Sequence, residues 1–233
     1  MGSAMIKGWE NSSFRLHVLE LNKPDNNVVQ FYQVDEYQKF FENIDIVFIA
    51  VRPSAWPQVK LLLENNDLTK VSIMAGITLA QLSEVPGPWF RVMPNLPVEV
   101  GLGCLALFGT ANATNALESL LSKLGKVITL KQESDMHAFT ALAGSGPAWL
   151  WHYASEWVKV AEKLGFDQSQ AQTIVQQTIR GAATISEEKD FTKLCNSVAS
   201  KGGTTESGLQ FISLGLEAAI MAAVQRSKEL AQE

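Results

Sequence analysis

Two apolar runs set the strongest limit on what this chain can fold into. "DIVFIAV" (Asp45 to Val51) and "KVSIMAG" (Lys70 to Gly76) lack the polar alternation of a strand with one wet face. Short continuous runs of this kind suit strands buried on both faces of a parallel sheet. Helical patterns separate them. "VDEYQKFFENI" carries Tyr37, Phe40, Phe41 and Ile44 at helical spacing, and "PSAWPQVKLLLEN" reads as a helix start and its helix. Upstream, "RLHVLEL" (Arg15 to Leu21) reads as a strand and "VVQFYQ" (Val28 to Gln33) as a weaker one. Downstream, "FRVMPNLP" and "GCLALFG" add shorter strands, then "LESLLSKLG" and "KVITL" a helix and a strand. Strand–helix alternation with right-handed crossovers predicts a doubly wound, Rossmann-like parallel sheet over residues 1–132.

The pattern changes near Gln132. From Ser134 onward no strand is predicted, so residues 133–233 form a second, all-α domain. Its helices are rich in Ala, Leu and Ile, and some are apolar on more than one side. Such faces predict burial against a second copy; packing on the chain's own sheet domain is the alternative.

Composition narrows the function. The chain has 233 residues, 46% hydrophobic and 18% charged, which suits a soluble globular protein and not a disordered chain. A net charge of −5 and the lack of a basic run give no reason to expect nucleic acid or an anionic membrane as partner. No apolar stretch reaches the roughly 20 residues of a membrane span, and no signal peptide is visible, so a cytoplasmic location is expected. Cys104 and Cys195 are far apart and read as reduced thiols; with His17, His137 and His152 they form no metal pattern.

Several stretches can carry chemistry. In "MGSAMIKGW", Gly2 reads either as the closing glycine of a G-x-G-x-x-G turn that begins a helix, or as part of a leader without meaning. Glu20 stands at about the distance of the acidic residue that holds an adenosine ribose, while Asn22 and Lys23 can hold a 2′-phosphate instead. "AVRPSAW" closes a buried strand, where parallel sheets bind ligands; Arg52 can face a phosphate and Pro53 stiffens the turn. Asn95, in the stiff loop "VMPNLP", offers a donor and an acceptor. "AGSGPAW" interrupts a long helix, to admit a ligand or a neighbouring helix, or for tight packing. In "VASKGGTTESG" a Gly-Gly-Thr-Thr run precedes a helix, whose free N–H groups suit a small carboxylate; N-capping by Thr204 or Thr205 is the plainer alternative.

In this order, the pieces resemble the pyrroline-5-carboxylate reductase family over essentially the whole chain. "MGSAMIKG" is similar to the end of its glycine-rich opening, and "DIVFIAVRP" to its D-x-x-x-x-A-V-K/R-P. "RVMPNLPVEVGLG", "ALAGSGPAW", "VASKGGTTESGL" and "AVQRSKEL" follow its later motifs. The resemblance implies NADPH- or NADH-dependent reduction of the cyclic imine 1-pyrroline-5-carboxylate to L-proline. It implies a Rossmann domain, an all-helical dimerisation domain, and homodimers that assemble further as a decamer of five dimers. Thr205 would hydrogen-bond the ring nitrogen, and backbone amides around Ser200, Lys201, Gly202, Gly203 and Thr204 would hold the carboxylate. Gly2 and Ser3 would lie near the pyrophosphate, with Asn22, Lys23, Ala50, Val51, Arg52, Pro53, Ala75, Gly76 and Asn95 along the cofactor. Lys201 stands where the family usually has Pro, and Leu96 where Thr is common. The first strand and first two glycines of the family would precede Met1, so an upstream segment is expected; without it the chain should bind cofactor poorly. The competing reading is a catalytically impaired helical-dimer protein. A related imine or β-hydroxyacid dehydrogenase with another substrate would need a lysine that "HAFTALAGSGPAW" lacks.

Overall fold

The computed structural model describes residues 1–20, 29–42, 44–64, 66–186, 189–212 and 215–232. They form two compact units, residues 1–147 with 221–233, and residues 148–220.

The first unit opens with α1 (Gly2–Trp9), β1 (Leu16–Leu19) and β2 (Val29–Tyr32). Then come α2 (Tyr37–Phe41), β3 (Ile46–Ile49), α3 (Trp56–Leu63), β4 (Thr69–Ser72), α4 (Leu79–Leu82) and β5 (Trp89–Met93). It continues through β6 (Gly103–Gly109), α5 (Asn115–Ser122), β7 (Gly125–Thr129) and α6 (Asp135–Phe139). The two continuous apolar runs are β3 and β4, paired in parallel.

The sheet departs from the expectation twice. β5 and β6 pair antiparallel, whereas every other pair is parallel. The connection from Met93 to Gly103 is too short for a crossover, which needs about a dozen residues or more. The strands also fall into two sheets, β1-β2 and β3-β4-β5-β6-β7. Among the described residues β1 and β3 each pair on one side only; the doubly wound order has one further strand between these two edges.

Both faces of the larger sheet are covered, as continuous apolar strands require. Ala4, Met5 and Trp9 of α1 pack with Leu117 and Leu121 of α5 on Val71, Phe90, Val92 and Leu105. On the opposite face Trp56 and Leu63 of α3 and Leu79 and Leu82 of α4 pack with Val47, Ile49 and Trp89. Gly8 explains how closely α1 docks: a Cβ there would stand 2.2 Å from the Val98 carbonyl oxygen. Lys70 is fully buried in β4, and its Nζ donates to the carbonyls of Asn66 (2.5 Å), Leu68 (3.1 Å) and Pro86 (2.8 Å).

After α6 the helix widens into a π-turn, Thr140–Gly144, and α7 (Gly146–Lys163) begins. Pro147 therefore sits at the second position of α7, where its missing N–H breaks no helical bond. α8 (Gln168–Ile185) is capped by Asp167, which accepts from Gln170 N at 2.9 Å while the Gln170 side chain accepts from Asp167 N. Asp190 caps α9 (Phe191–Val198) through Lys193 N at 2.8 Å. α10 (Thr204–Ile212) and α11 (Leu216–Leu230) complete the chain, with Gly215 between them at φ +99°.

Among the described residues no strand follows residue 132, and the compact units divide at 147 and 221. α6, the π-turn and the last two-thirds of α11 belong with the sheet. Side-chain bonds explain why: Asn95 reaches Ala143 and His137 reaches Ser227.

Candidate active site

The residues expected along a dinucleotide gather at the carboxyl ends of β3 and β4. Ala50 to Pro53 leave β3 as a turn in which Ala50, Arg52 and Pro53 are exposed and Val51 is half-buried, with Pro53 opening a short 3-10 turn before α3. Gly2 starts α1 beside Ala50; a Cβ on Gly2 would stand 3.2 Å from the Ala50 Cβ. No side-chain cap satisfies the start of α1, and Ser3 is exposed in its first turn. First-turn amides have no intrahelical acceptor and suit an anion. Ala75 and Gly76 follow β4, and Gly76 takes φ +81°. Glu20 is exposed beyond β1, where its N–H donates to the Tyr32 carbonyl at 3.3 Å. Asn22 and Lys23 lie outside the described residues.

Asn95, expected along the cofactor, also has a task within the fold. Its side chain is buried: Nδ2 donates to the Ala143 carbonyl at 3.0 Å and Oδ1 accepts from Cys104 N at 2.9 Å. It braces the start of β6 against the π-turn, with one N–H left over for any ligand. Gly144 and Gly146 do not answer to tight packing within the described residues. A Cβ on Gly146 would meet nothing within 4 Å, and one on Gly144 only the Thr140 methyl at 3.5 Å. π-turns recur at functional sites.

The Gly-Gly-Thr-Thr stretch forms a tight loop in the second unit. Gly203 N donates to the Ser200 carbonyl at 2.9 Å, and a Cβ on Gly203 would stand 2.5 Å from Ser200 Oγ. Gly202 takes φ +72°, a conformation that favours glycine. Thr204 and Thr205 are the first two residues of α10 itself, so capping by their side chains does not account for them. Their amides point out of the helix start, and Thr205 is half-buried. Lys201 is exposed. Glu206 was not singled out from sequence: its carboxylate accepts from Gly202 N at 2.6 Å, on an amide expected to hold the substrate carboxylate. Its place three residues after Gly203, as in a capping box, is the signal that could have found it.

Three further contacts had no sequence signal. Buried Arg91 of β5 donates to Glu133 Oε1 at 2.8 Å, and the same oxygen accepts from Leu79 N at 2.6 Å. His137 Nδ1 lies 3.0 Å from Ser227 Oγ. Burial, then the charges of Arg91 and Lys228, hold the His137 imidazole below its ordinary pKa. Burial pushes the Cys104 thiol up, away from reactivity. Among the described residues no cluster of His, Cys, Asp or Glu is set to hold a metal ion.

A doubly wound sheet with open turns at its carboxyl edge, followed by helices, has the architecture of the dinucleotide-binding class of α/β proteins. A family model described as pyrroline-5-carboxylate reductase dimerisation matches residues 133–233. Pyrroline-5-carboxylate reductase of Staphylococcus haemolyticus is 30% identical over 258 residues, spanning 100% of this chain and 95% of that protein. A solved pyrroline-5-carboxylate reductase from Coxiella burnetii superposes with a TM-score of 0.86 at 25% identity, covering 98% of this chain and 94% of that one. The Plasmodium falciparum pyrroline carboxylate reductase with NADP bound gives a TM-score of 0.85 at 24% identity over 99% and 94%. The chain belongs to the pyrroline-5-carboxylate reductase family.

Proposed function

We propose that this chain reduces 1-pyrroline-5-carboxylate to L-proline with NADPH, NADH being the second candidate donor. The observation that carries the reading is the Ser200–Thr205 loop, a glycine pair running into a helix start on a chain of this family. The nicotinamide, when bound, supplies hydride. The residues of this chain hold and orient the reactants. Gly2 and Ser3 offer the start of α1 to the pyrophosphate. Ala50, Val51, Arg52, Pro53, Ala75 and Gly76 form the edge along the cofactor, with Arg52 as its cation. Amides around Ser200, Gly202, Gly203 and Thr204 bind the carboxylate, Lys201 adds a nearby charge, and the Thr205 hydroxyl accepts from the ring N–H. A protonated imine is already electrophilic, so orientation and electrostatics suffice without an acid–base dyad. The exposed apolar faces of the helices support a homodimer, and five such dimers form a decamer on the same reading. A cytoplasmic location belongs to the proposal; among the described residues no helix is long and apolar enough to cross a membrane.

The test is oxidation of NADPH by the purified chain, followed by nicotinamide absorbance with and without pyrroline-5-carboxylate. Substrate-dependent oxidation is expected. Thr205→Val should lower kcat about tenfold to a hundredfold, the worth of one hydrogen bond to a charged group. Absence of substrate-dependent oxidation with both nicotinamides overturns the reading.

A further inference from the structure

The closing "RSKEL" stretch has no role in the chemistry above, yet its helix returns to the sheet unit at an informative place. Ser227, on the last part of α11, meets His137 of α6 at 3.0 Å. One turn later the Leu230 carbonyl stands 3.0 Å, and Ala231 Cα 3.4 Å, from where a Cβ on Gly76 would be. A positive φ of 81° and this close approach both require glycine there. α11 therefore ends against the turn that leaves β4. His137 is itself placed by its surroundings. Arg91, clamped by Glu133, approaches from β5, and Lys228 from α11. Glu133 Oε1 also accepts from Leu79 N, a few residues past Gly76. The two ends of residues 76–79 are thus held by separate anchors, the end of α11 and Glu133.

We propose that Ser227, by tying the end of α11 to His137, is a positioning residue that sets the Ala75–Gly76 turn as the wall of the dinucleotide site. The inference rests on the reading that the carboxyl edge of β3 and β4 holds the cofactor. Its consequence is selective. The loop expected to take the substrate carboxylate, Ser200–Thr205, belongs to the other compact unit, so loosening the end of α11 weakens the cofactor and not the substrate.

The experiment compares Ser227→Ala, Ser227→Thr and Arg52→Ala in the full chain. KM for NADPH and KM for pyrroline-5-carboxylate are measured separately, and hydrogen exchange is followed at residues 75–78. Ser227→Ala is expected to raise the NADPH KM about threefold to tenfold, the usual worth of one hydrogen bond. The substrate KM should stay within about twofold, and exchange at residues 75–78 should rise. Ser227→Thr, which keeps the hydroxyl, should restore both values. Arg52→Ala tests the underlying reading and should also raise the NADPH KM. If Arg52→Ala acts and Ser227→Ala leaves the NADPH KM unchanged, or shifts both KM values equally, the positioning role is overturned alone. If Arg52→Ala leaves the NADPH KM unchanged, the cofactor is not on this edge and the inference falls with the reading.

Discussion

The sheet unit and the helical unit bury apolar residues very differently. In the sheet unit, residues from every layer reach near-zero exposure: Val71, Leu82, Trp89, Val98, Leu105, Leu117, Leu121 and Leu124 are each at 0%. In the helical unit the buried apolar residues, among those described, are Ala161, Ala171 and Val175. The large side chains there are in the open: Trp151 is 54% exposed, Phe191 74% and Phe211 77%. Composition alone does not produce this contrast, since both regions are rich in apolar residues. A sheet with helices on both faces closes its own core, whereas a few helices with apolar residues on several sides cannot. The first unit has completed its packing within one chain, and the second presents surface that the proposed homodimer would cover.

That contrast can be broken from either side. The largest effect is expected in the sheet unit. Leu105→Ala removes a fully buried side chain from the cluster between the sheet and α1, at a cost of about 2–5 kcal/mol. Thermal unfolding should show a lower Tm, with the same loss at every protein concentration. In the helical unit the corresponding change acts through association. Tyr153, Trp157 and Val160 lie at helical spacing along α7, with exposures of 49%, 39% and 49%. Trp157→Glu with Val160→Glu should weaken dimerisation about a hundredfold, as loss of interface anchors does. Sedimentation should show monomers at concentrations where the unmodified chain is dimeric. A monomer that keeps full activity would refute the idea that the helical unit needs its copy.

The same contrast explains what the sequence made legible. β3 and β4 were readable because strands covered on both faces show no polar alternation, and the start of α1 because Gly2 reads as a glycine that begins a helix. The antiparallel β5-β6 pair was not readable, because strand direction depends on the path of the Pro94–Leu102 connection and not on the strands' composition. The turns of the site were located through glycines and prolines, whose backbone demands are local: Gly2, Pro53, Gly76, Gly202 and Gly203. Side chains whose partners lie far along the chain escaped notice. Asn95 was noticed for its amide, yet its partners Ala143 and Cys104 could not be inferred from spacing. His137 looked isolated because Ser227 is 90 positions away.

A smaller effect tests the substrate loop within the helical unit. The Glu206 carboxylate holds the Gly202 amide at 2.6 Å, and a substrate carboxylate would compete for that N–H. Glu206→Ala is expected to lower KM for pyrroline-5-carboxylate about threefold to fivefold, by freeing the amide and removing a like charge. The NADPH KM should not change, because Gly2, Arg52 and Gly76 belong to the sheet unit. A raised substrate KM would show instead that Glu206 favours the cationic imine more than it obstructs the carboxylate.

The smallest effect concerns pH, and it belongs to the sheet unit. Burial, Arg91 and Lys228 lower the His137 pKa from its ordinary 6.5, while Ser227 and Glu133 oppose the shift without reversing it. The unfolded chain therefore binds a proton at this imidazole at a pH where the folded chain does not yet. Between the two pKa values the unfolded state holds more protons, so stability rises with pH across that window. The contribution is fully present above pH 6.5 and is lost as pH falls through the lowered folded value. Carboxylates titrate below the same range, so the useful quantity is a difference. His137→Gln keeps a polar side chain but cannot take up the proton. The Tm of the unmodified chain should fall more steeply than that of His137→Gln as pH drops from about 7 to 5. The gap should be independent of protein concentration, because the groups that lower the pKa all sit in the unit that packs within one chain. Equal slopes would mean that solvent reaches His137 well enough to cancel the effect of Arg91 and Lys228.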